Sequence, residues 1–190
     1  MEYRITKTQD SRFKIQDSGF TLVELLVVIS IIGILASIGL VAFRSTQFRS
    51  RDAQRKSDLK ELSSALELFY SDYGRYPSSD TGKIMACPYN TATACSWGTG
   101  EFTDGKTVYF KVLPKDSVSG SNYYYRTVPD SNNQKYQIFA HLENSEDINC
   151  LIGVAGKPDC TSPANIPSGI TCGSSVCNFA VKSSNTTPTE

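Results

Sequence analysis

Few side chains in this 190-residue chain have the type and spacing to do chemistry. Six cysteines, Cys87, Cys95, Cys150, Cys160, Cys172 and Cys177, all lie in its second half or close to it. Clustered in one small region among turn-forming residues, they point to three disulfides made in an oxidising compartment. Cys87–Cys95 is the expected local bridge, and the last four cysteines leave three connectivities open. Zinc is the rival reading, but paired C-x-x-C spacing and a second histidine are missing. The single histidine, His141, falls on a predicted strand with no Ser and Asp spaced to form a nucleophilic set. Asp130-x-Asn132 opens like an EF-hand loop. Its sixth position is Lys135 instead of glycine and its twelfth is His141 instead of glutamate, so calcium is weakly supported. No glycine-rich phosphate loop occurs. The expectation is a chain with no catalytic, cofactor-binding or metal-binding residues, and not an enzyme.

The most informative titratable group is Glu24. It is the one charge in the run Phe20–Phe43, FTLVELLVVISIIGILASIGLVAF. As a helix this run would be about 36 Å long, enough to cross a hydrocarbon core of about 30 Å. A carboxylate within a membrane span has a partner or a function by default, and the bland alternative is one that snorkels to the headgroups. Arg4, Lys7, Arg12 and Lys14 precede the run, which places the N-terminal side in the cytoplasm. A cleaved secretory signal fits poorly: the run is longer than an h-region and no small-x-small site follows it. Arg44, Arg49, Arg51, Arg55, Lys56 and Lys60 follow the run, opposed by Asp52 and Asp58. That cluster conflicts with the positive-inside rule, yet the six cysteines still assign the C-terminal side to the outside. Whole-chain charge is balanced, 19 basic against 19 acidic residues, which argues against binding nucleic acid by bulk positive charge.

The elements that must carry these residues follow from periodicity. From Arg44 to Tyr73 there is no glycine or proline, and Leu59, Leu62, Leu66, Phe69 and Tyr73 recur at spacings of three and four, one apolar stripe of a helix. Gly74 is the expected C-cap, and Pro77 prevents continuation. The charges of residues 44–73 change sign along the helix, basic first and acidic later. They read as a solvated face or, secondarily, as pairing between axially shifted copies. Three strands are expected at Thr107–Leu113, Tyr123–Val128 and Tyr136–Leu142, with Pro129-Asp130-Ser131-Asn132-Asn133 turning the last pair. They predict a meander packed on the helix stripe. Tyr123, Tyr124 and Tyr125 are expected in sheet and core. The chain beyond His141 reads as loops, and the tail from Lys182 as disordered.

Gly19-Phe20-Thr21-Leu22-Val23-Glu24 followed by an apolar helix resembles the class III signal of type IV pilins and of their secretion-system relatives, the pseudopilins. Leu66-Glu67-Leu68-Phe69-Tyr70-Ser71-Asp72-Tyr73-Gly74-Arg75-Tyr76-Pro77 is similar, more loosely, to the end of the pilin long helix. The resemblance implies an α+β, type IV pilin-like fold. A leader, residues 1–19, would be removed. A long helix over 20–73 would be membrane-embedded at 20–43 and amphipathic at 44–73. A disulfide-stapled head would occupy 74–190. It implies processing at Gly19 and Phe20 by a membrane prepilin peptidase, which cuts between them and methylates the new Phe20 amine. It further implies an inner-membrane assembly platform, a precursor held in the cytoplasmic membrane, and assembly into a homo-oligomeric helical filament outside the cell, serving adhesion, motility or DNA uptake without sequence-specific nucleic-acid binding. In a filament core the new ammonium would pair with Glu24 of a neighbour, so that neither charge is buried alone; before the cut Glu24 would lack such a partner. Two departures stand out. No proline precedes Pro77, with Val41 where one is expected and Gly33 and Gly39 as the weak points of the helix. Asp17 stands near the cut where relatives carry Lys or Arg. The alternatives are a type II secretion pseudopilin, of whose Leu-Pro-x-Asp pattern only Leu113-Pro114-Lys115-Asp116 is present, and a membrane-anchored extracytoplasmic binding domain.

Overall fold

The computed structural model describes residues 19–91, 93–129, 131–187 and 189, with the backbone alone at 39–42. Leader residues 1–18, Asp17 among them, and Asp130 of the EF-hand-like stretch lie outside the described residues. The chain divides into two units, one ending at Ala42 and the other beginning at Phe43.

Helix α1 covers Leu22–Tyr73. In the first unit every described side chain from Thr21 to Ile38 is exposed, including Leu22, Leu35 and Ile38. A helix apolar on all sides and exposed along its described side chains suits a lipid or protein-filament environment better than water. Its two serines leave no hydroxyl unpaired: Ser30 donates to the Leu26 carbonyl at 2.8 Å and Ser37 to that of Ile34 at 2.7 Å. Such back-bonding makes serine tolerable in an apolar medium.

In the second unit α1 carries the expected stripe. Leu59, Leu62, Leu66 and Phe69 are fully buried, and Tyr73 stacks on Phe69 at 4.6 Å between ring centroids. The helix stops where predicted. Gly74 has φ +65° and its N–H bonds the Tyr70 carbonyl at 2.7 Å, while Gln134 Nε2 donates to the Gly74 carbonyl.

Among the described residues the head holds nine short strands: β1 (Ser79–Asp80), β2 (Lys83–Ile84), β3 (Phe102–Thr103), β4 (Val108–Phe110), β5 (Tyr124–Thr127), β6 (Tyr136–Ala140), β7 (Thr171–Cys172), β8 (Ser175–Val176) and β9 (Phe179–Lys182). The main sheet is antiparallel, in the order β5-β6-β9. Tyr125 faces Ile138 across one ladder and Val181 faces Ile138 across the other. Central strand β6 is buried on both faces. Tyr136, Ile138 and Ala140 join the helix stripe with Tyr125; Phe139 points the other way, onto Leu151, Ile170, Cys172 and Cys177. Helix, sheet and cysteine-rich loops thus form three layers.

The predicted meander needs correction. The first expected strand shortens to β4 and pairs with β3, not with β5. The third strand of the sheet is β9, which lies inside the stretch expected to be loop; its four residues are flanked by Gly, Ser and Cys, and only Phe179-Ala180-Val181 carries strand character. The hairpin turn falls where expected, with Asn132 and Asn133 at φ 49° and 58°. Tyr123 and Tyr125 are buried and Tyr124 is half-buried in β5. The tail is not loose at its start. Ser183 and Thr186 are buried, Ser183 N–H bonds the Tyr136 carbonyl, and the tail carbonyls of Thr186 and Thr187 accept from Lys182 Nζ and Gln137 Nε2. Composition misjudged it because Gln137 and Lys182 supply polar partners that a serine- and threonine-rich segment can use.

Candidate functional site

Gly19 and Phe20 lie in non-helical backbone ahead of α1, and both are exposed. A Cβ added at Gly19 would meet nothing within 4 Å. No described atom therefore crowds the backbone at Gly19. Phe20 itself is 86% exposed.

Thr21 and Glu24 form a capping box. Glu24 N–H donates to Thr21 Oγ1 at 3.2 Å, and Glu24 Oε2 accepts from Thr21 N–H at 3.0 Å and from its hydroxyl at 2.9 Å. The T-x-x-E spacing is a helix-start signature, legible in the sequence but overlooked beside the charge itself. The Glu24 carboxylate thus has a partner within its own chain, though not a cationic one. The helix N-terminus adds its own favourable field for an anion.

The second cluster lies in the head unit, where the buried stripe of α1 changes from apolar to ionic. Asp52, Arg55 and Asp58 occupy the same face as Leu59 and Leu62 and are at most 7% exposed. Arg55 lies in a bidentate pair with Asp116, Nε to Oδ2 and Nη2 to Oδ1, both 2.8 Å. Its Nη1 reaches Asp52 at 2.7 Å and Glu143 at 2.8 Å. Asp52 also accepts the backbone N–H groups of Glu143 and Asn144, at 2.9 and 2.8 Å. Arg51 forks onto Glu143, and Lys56 reaches Asp147 at 2.6 Å. Tyr123 donates to Asp58 at 2.6 Å. Burial acts to lower the Arg55 pKa, but Asp116, Asp52 and Glu143 together drive it upward, so the guanidinium stays charged. Glu143 is lowered chiefly by its bond from Arg51. For Asp147 burial raises the pKa, and the bonds from Lys56 and Asn149 more than offset that. This network pins the segments after β4 and after β6 to the helix. It is not the solvated face that the charges of residues 44–60 suggest.

The six cysteines form Cys87–Cys95, Cys150–Cys160 and Cys172–Cys177. No thiolate is left for a metal, and among the described residues no group of three His, Cys, Asp or Glu is placed to hold one. His141 follows β6 directly, and its Nδ1 lies 2.8 Å from the Val176 carbonyl. It lines a groove of about 350 Å³ beside Glu143 and Ser175.

Two family models match the chain. Residues 16–40 fit the prokaryotic N-terminal methylation motif, and residues 43–147 fit type II secretion system protein G. The type IV major pilin protein PilA of Myxococcus xanthus is 46% identical over 66 residues, which cover 35% of this chain and 30% of that protein. The type II secretion system core protein G of Pseudomonas aeruginosa is 32% identical over 112 residues, 58% of this chain and 73% of that protein. Fimbrial protein EcpC of Eikenella corrodens is 32% identical over 116 residues, 52% and 76% of the respective chains. The chain thus spans under a third of the Myxococcus protein but most of the other two. No solved structure matches it.

Proposed function

Because the chain belongs to the type IV pilin and type II secretion pseudopilin family, we propose that it is the structural subunit of a type IV pilus filament, with no catalytic role of its own. The carrying observation is Glu24, the single charge on the apolar first stretch of α1, whose described side chains from Leu22 to Ile38 are exposed and which begins just after an uncrowded Gly19–Phe20 bond. A prepilin peptidase cuts that bond and methylates the Phe20 amine. The span over 20–43 holds the precursor in the cytoplasmic membrane with the head outside. On assembly the spans leave lipid and pack together. The Phe20 ammonium of one subunit then meets Glu24 of the next, which exchanges or shares its Thr21 bonds for a charge-assisted one. The disulfide-stapled head suits exposure outside the cell.

A second reading, a pseudopilin of a type II secretion system, has its own support: the protein G family model covers the second half of α1 and the head as far as residue 147. One experiment separates the readings. Surface protein is sheared from cells and its N-terminus determined by mass spectrometry. The pilus reading expects abundant fibres whose subunits begin at methylated Phe20, and their loss in a Glu24→Ala strain. Methylated Phe20 found only in the membrane fraction favours secretion. An N-terminus at Met1 sinks both and leaves a membrane-anchored binding domain.

A further inference from the structure

Six cations directly after an apolar run, on the side assigned to the outside, violate the usual charge asymmetry of membrane proteins. The head removes half of the violation. Arg51, Arg55 and Lys56 are paired with Glu143, Asp116, Asp52 and Asp147. Arg44 and Arg49 are exposed, and neither has an ion pair among the described residues. Around them sit apolar side chains that the head fails to cover: Phe43 is 61% exposed, Phe48 39% and Ile148 82%. Ile148 and Arg49 line one groove of about 390 Å³, with Ala53, Asn144 and Asn149. Of the carboxylates there, Asp52 and Asp147 are engaged by Arg55 and Lys56, and Glu146 is the exposed one.

Height along the helix names the occupant. Arg44 follows the last apolar residue directly, and Arg49 lies about 9 Å beyond Phe43 at helical rise. The headgroup layer is roughly 5–8 Å deep on each side of the hydrocarbon. A long arginine stem closes the difference by reaching back. Phe and Ile beside such cations form the mixed edge that interfacial segments use.

We propose that this end of the head is a lipid-docking surface. Arg44 and Arg49 bind the phosphates of anionic phospholipids in the leaflet from which α1 emerges, and Phe48 and Ile148 enter the interfacial layer beside them. The proposal rests on residues 20–43 being a membrane span, and does not depend on pilus or secretion use. Docking holds the unassembled subunit low on the membrane, so lipid composition contributes to the work of extracting it.

The test uses the full chain in phosphatidylcholine vesicles, with and without phosphatidylglycerol. Trp97, the single tryptophan, is changed to Phe, and the reporter is the indole introduced by Ile148→Trp. Quenching of that indole by phosphatidylcholine brominated near the headgroup is then read. The expected result is blue-shifted emission with quenching at least about twofold stronger when phosphatidylglycerol is present, and loss of that gain in Arg44→Gln/Arg49→Gln. A fully hydrated, unquenched reporter overturns the proposal, provided that a Trp97→Phe/Leu35→Trp chain is quenched by deep bromines and so proves insertion. Quenching indifferent to both arginines and phosphatidylglycerol overturns the headgroup assignment. A blue shift that grows with protein-to-lipid ratio, without quenching, assigns the surface to a second copy and also overturns it. Should the Ile148→Trp variant fail to fold, hydrogen exchange of the wild-type segment 144–149 decides: protection only with phosphatidylglycerol supports docking, and equal exchange opposes it.

Discussion

Arg55 is the residue whose removal should cost the head most. It is 1% exposed and serves three carboxylates at once. Truncating one partner of a buried ionic set leaves the others desolvated and unpaired, which costs about 3–5 kcal/mol. Arg55→Ala should therefore lower head stability by about that amount in denaturant unfolding of the detergent-solubilised chain. Asp116→Asn should cost less, since Asp52 and Glu143 still hold the guanidinium. Equal, small effects would show that the network is not buried in solution. The same residue marks where reading the sequence failed. The spacing of Leu59, Leu62, Leu66 and Phe69 revealed one side of the helix. Extending it backward by threes and fours lands on Arg55 and Asp52. Charged letters suggested solvent, because their partners Asp116 and Glu143 lie in distant loops that no local pattern links to them. Glu24 was legible for the opposite reason: a lone charge among apolar residues needs no distant partner to be noticed.

Among elements, the helix was predicted nearly to the residue, because glycine and proline punctuate its end and a period of 3.6 persists before it. The small strands were less legible. β4 and β9 are three and four residues long, too short for alternation to show, and their pairing depends on loops that cross between them. The β7–β8 turn offers a sharp test of this region. Gly173 has φ +77°, and a Cβ there would lie 1.8 Å from the Gly120 carbonyl oxygen. Left-handed strain and the steric conflict together make Gly173→Ala cost on the order of 2–5 kcal/mol. Gly105 has φ +87° with nothing within 4 Å of its added Cβ. Gly105→Ala should thus lose only the conformational part, about 1–2 kcal/mol. Comparing the two melting temperatures checks the contact between the β7–β8 turn and the segment before β5. The Cys172–Cys177 bridge encloses that turn, so both variants should be measured oxidised.

For the whole molecule, stability should form a plateau in pH. Glu143 and Asp147 have pKa values lowered from 4.5 and 3.8 by their cationic and amide partners. Their contribution is complete above those ordinary values and is lost as pH falls through the lowered ones. At the alkaline end, burial raises the tyrosines: Tyr136 is pushed up to about 12 and Tyr125 well above 10. That contribution is complete below pH 10 and disappears as pH rises through the raised values. Denaturant midpoints measured across pH should be flat between about 5 and 10 and fall on both sides. Midpoints that stay level above pH 10 would contradict the burial of these phenols.

The three disulfides join residues 8, 10 and 5 positions apart, and all six cysteines lie outside α1. No covalent cross-link therefore ties the sheet and its loops back to the helix. If the helix is the spine of a fibre, tension applied to the head passes to that spine through the peptide chain at Gly74, side-chain packing, the ion pairs of Arg51, Arg55 and Lys56, and hydrogen bonds such as that from Tyr123 to Asp58. In such a fibre the staples would toughen the loops without stiffening the joint that carries the load. A pulled subunit should yield first at the helix–sheet interface, with its loops still closed, and should be able to reseat when the force is released.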